Sequence, residues 1–420
     1  METGVGGGTD SIRHDRKRML LAGVCSAALA IGCSLVVPAA AETYYVSNAG
    51  QLRDAITTAN GDGDPSSTIL MTTDFAVDSV GLPAASKPVT IDTNGHVLST
   101  AGNNNIAFTG VGGGAANTLE GTITGAAGAT TGVIGVRGGA SVINNATIQG
   151  GTNSAGTGGL GVDFGGPPAG LSTFVNNGII RGGQGSTVGG IGIFVRAGTN
   201  PLVNTGTIEG GNGASAIVTN GASVGLTLIN SGTISAGAGQ ADAIRVTGTS
   251  GVLSVELRAG SVIEGNVLAN ATLATDTLRL GGDEDEVFDA STIGDAAQYQ
   301  NFNNFEELGA STWTLTGTST ALTPWLLSDG TLAVSSDGAL GDVAGALTIG
   351  GGSLRALSSF ESTRDIIFTG VGGIEVDAGA VLALSGALTG TGRLRKLGEG
   401  TLIQNSARGY DGLTWVQDGT

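Results

Sequence analysis

The sequence predicts an all-β fold, a right-handed parallel β-helix of stacked short strands, with a short helix capping its N-terminal end. Three observations predict it. Between Val142 and Gly265 one phrase recurs as VINNATIQGG, FVNNGIIRGG, LVNTGTIEGG, LINSGTISAG and LRAGSVIEGN. It fits Asn-x-x-x-Ile-x-x-Gly through Asn144/Ile148/Gly151, Asn176/Ile180/Gly183, Asn204/Ile208/Gly211 and Asn230/Ile234/Gly237; the fifth copy keeps Val262 and Gly265, with Arg258 in the Asn slot. A repeat every 26 to 32 residues is the mark of a solenoid. Second, Ile, Val and Thr fill the runs while Gly and Asn fill the gaps, and no window has the 3.6-residue stripe of a long amphipathic helix. Third, the 420 residues include 77 Gly but only 4% aromatics and 13% charged residues, which suits a long rod with a narrow aliphatic core.

The net charge of −17 argues against nucleic acid or anionic membrane surfaces as partners, since both require clustered Lys and Arg. After Ala41 the only lysines are Lys87 and Lys396.

Residues 1–41 read as a signal peptide with an extended basic start. Arg13, Arg16, Lys17 and Arg18 precede the apolar run Met19–Val37, and Pro38-Ala39-Ala40-Ala41 supplies the small-residue exit, placing the cut between Ala41 and Glu42. A retained anchor is disfavoured because Ser26, Gly32 and Ser34 break the run, and lipidation at Cys33 lacks the larger aliphatic residue expected three places before it. Both cysteines, Cys25 and Cys33, lie inside this leader. The exported chain therefore carries no thiol into an oxidising compartment, as suits a chain that must cross a second membrane unfolded.

The stretch VSNAGQLRDAITTANGDGD is the one helix signal. Leu52, Ala55, Ile56 and Ala59 share a face, Ser47 or Asn48 can cap the start, and Asn60-Gly61 can end it. Such a helix would cover the end of the rod, where a terminal coil otherwise exposes strand backbone and core. The arrangement resembles the N-terminal cap of pectate-lyase-like β-helix proteins.

From Thr73 to Ala140 the chain reads as early coils, and Pro167-Pro168 marks a loop leaving the rod. In the repeats proper, 42–280, the recurring Asn is assigned to an inward corner. There its side chain tolerates left-handed dihedrals and its amide bonds the Asn of the next coil; the Gly after each Ile is assigned a positive φ. Thr219, within SAIVTNGA, is placed in an outward loop.

Near Gly281 the composition shifts. GGDEDEVFD holds five acidic residues, read as a solvated turn rather than a Ca²⁺ loop because it occurs once and lacks Gly-x-Gly-x-Asp spacing. NFNNFEELGASTWTLTG then concentrates Phe302, Phe305 and Trp313, and resembles a passenger-domain segment of autotransporters (type V secretion), in which an F-x-x-F-E-x-L run precedes a Trp-containing strand. GEGTLIQNSARGYDGLTWVQDG, 398–419, resembles the autotransporter-associated repeat through Gly398, Gly400, Thr401, Leu402, Tyr410, Gly412, Thr414, Val416 and Gly419. Ile403-Gln404 and Ser406-Ala407-Arg408 depart from the small residues of that repeat. The resemblance implies a secreted or surface-displayed passenger whose 281–420 region continues the β-helix, and it implies a C-terminal transmembrane barrel, for which no region of alternating strands is found before Thr420. Without a barrel the chain is expected in the periplasm; with one, at the cell surface or outside the cell, facing host or neighbouring-cell molecules.

No catalytic, cofactor-binding or metal residue is assigned. The one histidine after the leader, His96, sits in the turn-like Thr93-Asn94-Gly95-His96, and no G-D-S-G nucleophile context exists for a Ser-His-Asp triad. Arg137, Arg181, Arg196 and Arg245, which could supply a lyase base, have Gly, Ala and Thr as sequence neighbours. GVGGG at 4–8 and 110–114 lacks the Lys-Ser/Thr of a phosphate loop. The expectation is a non-enzymatic passenger acting in adhesion or self-association; the alternatives are a β-helix enzyme acting on polysaccharide and an inert stalk.

Overall fold

The computed structural model describes residues 41–109, 116–165, 172–196, 198–220, 224–273 and 275–420. The leader up to Ala40, GVGGG at 110–114 and Pro167-Pro168 lie outside the described residues. The chain is a parallel β-solenoid. Its strands form sheets of 22, 8, 7 and 3 strands running along the rod, and the pairings from Glu42–Val46 to Thr414–Val416 are parallel. Strands as short as Thr147–Gln149 cannot bury a face alone. Stacked on Ile179–Arg181 and the coils beyond, Ile148, Ile180, Ile208 and Ile234 form one column with no solvent exposure.

In the early coils the first and second walls are single bent strands, Val89–Thr100 and Ala116–Thr124, which turn a corner at a register irregularity between Asp92 and Val97. From Ser141–Asn144 onward the corner is a true break, and the recurring Asn occupies it. Asn144, Asn176, Asn204 and Asn230 are fully buried. Nδ2 of each donates to Oδ1 of the next, at 2.8, 2.7 and 2.7 Å, across sequence gaps of 32, 28 and 26 residues. The ladder starts above Leu119, which pairs with Asn144, and its last rung donates to the Ser261 hydroxyl at 2.6 Å. The expected amide ladder is therefore present. Its backbone reason is corrected: among the described residues the positive-φ residues other than glycine are Asn94 and Asn301, and none of the ladder residues. Asn is required here because its amide both donates and accepts along a stack.

The fifth repeat is also corrected. Leu257, not Arg258, pairs with Asn230, and Ile263, not Val262, pairs with Ile234. The linker between them is longer than in earlier copies, so Val262 and Arg258 turn outward and Leu257 and Ile263 face the core. Thr219 is corrected too, since it is a buried residue on the strand Ile217–Thr219 rather than part of an outward loop.

The glycines after each Ile do not have positive φ, except Gly265 at 122°. They stand where the backbone of the coil before lies almost in contact. Gly159 N–H donates to Gly151 O, Gly183 to Gly159, Gly190 to Gly183 and Gly211 to Gly190, at 2.7 to 2.8 Å, and Gly237 N–H donates to Ala214 O at 2.8 Å. A Cβ on Gly183 would lie 2.0 Å from Gly151 O, and one on Gly237 would lie 1.7 Å from Gly211 O. Close approach, not dihedral freedom, selects glycine in this seam.

The helix spans Ala49–Gly61. Asn48 caps it by accepting from Gln51 N–H at 3.0 Å, while Gln51 Oε1 accepts from Ser47 N–H. Leu52, Ala55, Ile56 and Ala59 bury against the first coil, as the spacing predicts.

At the composition shift the cross-section changes. The 8-stranded wall ends with Tyr299–Gln300, the 7-stranded wall starts with Glu286–Asp289, and a 3-stranded wall appears only at Phe360–Ser362. Coils shorten to about 20 residues: Thr312 stacks on Thr331 and Arg355 on Glu375. Aromatics fill the transition, with Phe305 and Trp325 rings 5.5 Å apart and Trp313 Nε1 donating to Gly281 O.

Candidate functional site

Stacking brings together charges that are far apart in sequence. Arg137 Nη2 and Arg196 Nε each donate to the buried carboxylate of Asp163 at 2.6 Å, and Arg196 lies 4.7 Å over the Phe194 ring. Arg181 pairs in register with Glu209 at 2.5 Å, and Arg279 with Glu306 at 2.8 Å. The sequence reading that these arginines have no acidic neighbours is therefore corrected for Arg137, Arg181 and Arg196. Their acids lie one coil away, out of reach of any local motif. Arg245, whose Nε is buried without a partner, lies on a strand between Val218 and Leu268. The partly exposed pairs contribute about 0.2–1 kcal/mol each, and the guanidiniums of Arg137, Arg181, Arg196 and Arg279 are tied to carboxylates rather than left as bases.

His96 is half-buried with Nδ1 3.1 Å from Asp74 Oδ1, at the corner of the long strand Val89–Thr100. Glu42, Asp62 and Asp64 place ligand atoms within 4.8 Å of one another. There Lys87 Nζ bonds Asp62 and the Asp64 carbonyl, so an ammonium already lies in that cluster. Asp62 titrates below the usual carboxylate range: burial opposes this, but the Lys87 and Tyr44 hydrogen bonds outweigh it. The acidic run near Gly281 works as turn chemistry. Asp285 accepts from Thr312 N–H, Glu286 from Gly260 N–H, and Asp289 caps the 3₁₀ turn Ala290–Thr292.

Sequence reasoning passed over Glu307, the second acid of the F-E-E-L run. It points inward, in register between Leu280 and Leu327, with no exposure and no hydrogen bond to either oxygen among the described residues. Burial first, then Asp329 and Glu306, push its acid up to about 9, so it is protonated at neutral pH. The only signal was alternation: Phe305 and Glu307 share a face. Separately, a cleft of about 580 Å³ opens where the 8-stranded wall stops, lined by residues of 270–271, 293–303 and 320–322.

A segment of 156 residues is 32% identical to the Adhesin BmaC autotransporter of Brucella suis biovar 1 (strain 1330). The match covers 34% of this chain and spans only 4% of that protein's length. No family model matches the sequence, and no solved structure matches it. The chain is thus a parallel β-solenoid with weak similarity to an autotransporter adhesin.

Proposed function

We propose that the chain is a non-enzymatic passenger of autotransporter type, exported by the 1–41 leader and displayed at the cell surface, where its repetitive side mediates adhesion or self-association. The observation that carries this reading is the solenoid itself together with the similarity to an adhesin. Arg137, Arg181 and Arg196 are committed to ion pairs between coils, and the Asn and Gly columns that dominate the repeats serve the rod rather than chemistry. A repeated, acidic, rigid face suits many weak contacts acting together.

The test displays the full chain by fusing a transmembrane β-barrel after Thr420. Protease on intact cells should degrade the passenger, and cells displaying it should aggregate or adhere more than cells displaying the barrel alone. The chain should be found cut between Ala41 and Glu42, without lipid. Display without any gain in adhesion or aggregation overturns the reading. Release of unsaturated products from polygalacturonate would favour the enzymatic alternative instead.

A further inference from the structure

The side cleft sits at a step in the rod. Tyr299–Gln300 is the last strand of its wall, and the next coil passes it as a loop through Thr320 to Leu322 instead of adding a strand. The shortened coil leaves this space open, and its volume of about 580 Å³ lies in the range of small-ligand sites, about 300–1,000 Å³.

Its lining is chemically specific. Tyr299 is only 6% exposed and its ring packs on Phe288 at 5.5 Å, yet its hydroxyl bonds no group among the described residues. That hydroxyl is also not one of the fully enclosed unpartnered atoms, so it opens on the cleft it lines. Burial raises its pKa above the ordinary phenol value, keeping it a neutral donor. Asp295 and Thr320 are exposed on the rim and make no hydrogen bond or ion pair among the described residues. Leu322, 57% exposed, and the edge of Phe302 supply apolar surface. Asn301 holds the lip in a left-handed conformation, φ 65°, tied by its Nδ2 to Ala269 O at 3.2 Å. Asn is among the few non-glycine residues that adopt this conformation readily, and the tie to Ala269 fixes the shape of the lip.

We propose that this cleft binds a neutral saccharide unit. A carboxylate, a phenol and a threonine hydroxyl, all unpartnered, match the alternating donors and acceptors of vicinal sugar hydroxyls. Leu322 and Phe302 match the C–H face of a pyranose ring. An anionic ligand is opposed by Asp295 and the net charge of −17. A metal or polyamine would require more than the single carboxylate that lines the space. The proposal deepens the adhesion reading by naming what one face of the rod recognises, but it concerns the isolated chain and stands or falls separately from cell adhesion.

The experiment is saturation-transfer NMR and calorimetric titration of the purified full chain with lactose, maltose, cellobiose and N,N′-diacetylchitobiose, with spermidine as the cationic comparison. At least one sugar should bind with a dissociation constant of about 1 mM or tighter. Tyr299→Phe, which keeps the ring stack, should weaken it about tenfold, the value of one buried hydrogen bond, without moving the melting temperature. Leu322→Ala should also weaken it, and Val80→Ala, at an exposed site near the N-terminal end, should not. Absence of binding by every sugar, binding of spermidine alone, or sugar binding indifferent to both Tyr299→Phe and Leu322→Ala would overturn the assignment. Adhesion that persists in Tyr299→Phe would leave the adhesin reading standing while locating its contacts elsewhere.

Discussion

Asn204 shows what one side chain does in a stacked fold. It donates to Asn230 and accepts from Asn176, so replacing it with Leu strips a partner from two other buried amides. Asn176 keeps weaker bonds to Gly178 O and Thr207 O, but the Asn230 Oδ1 is left without its donor, and the loss should cost about 1–3 kcal/mol, seen as a lower denaturation midpoint. The proper control is exposed Thr389, whose change to Leu should be nearly neutral. Equal, negligible effects of both would show that the column is not structural. Glycines divide by mechanism in the same way. Gly183→Ala would press a Cβ to 2.0 Å from Gly151 O and should cost more than about 3 kcal/mol, because backbone cannot yield as a side chain can. Gly239, at φ 86° with open space around it, should lose only about 1–2 kcal/mol on change to Ala. If the order of the two reversed, the seam would not be the close contact described.

At the scale of the element, the strand Asn304–Glu307 carries a cost in its inward acid. Burial pushes the Glu307 acid from its ordinary value near 4.5 up to about 9 on folding. The folded chain thus holds a proton that the unfolded chain releases over that range. Stability from this group is complete below about pH 4.5 and falls as pH rises toward 9. Glu307→Leu, continuing the Leu280 and Leu327 column, should raise stability at pH 8 by about 1–3 kcal/mol and flatten the dependence between pH 5 and pH 8. Denaturant midpoints at those two pH values check it. An unchanged slope in the variant would mean that Glu307 is ionised or solvated in the folded chain.

Among the described residues one α-helix, Ala49–Gly61, stands against stacked strands from Glu42 to Val416. Far-ultraviolet circular dichroism should be dominated by β-structure; a helix content above about one fifth, against a globular norm near one third, would contradict the solenoid. The period, the strand-rich class, the Asn column, the capping helix with a cap at Ser47 or Asn48, and the aromatic shift near Gly281 were legible in the sequence. Each is written in neighbouring residues or in a repeat, and local propensity and periodicity report such features directly. Only the tertiary structure decided what the glycines avoid, that Leu257 rather than Arg258 fills the Asn slot, that Thr219 is buried, and that Arg137 and Arg196 share Asp163. The physical reason is the same in each case. A solenoid joins residues one coil apart, and the coil length varies from 32 residues between Asn144 and Asn176 to 19 between Thr312 and Thr331. One residue more in a corner reverses which side chains face the core, and where a shortened coil adds no strand beyond Tyr299 it leaves a cleft that no local pattern announces.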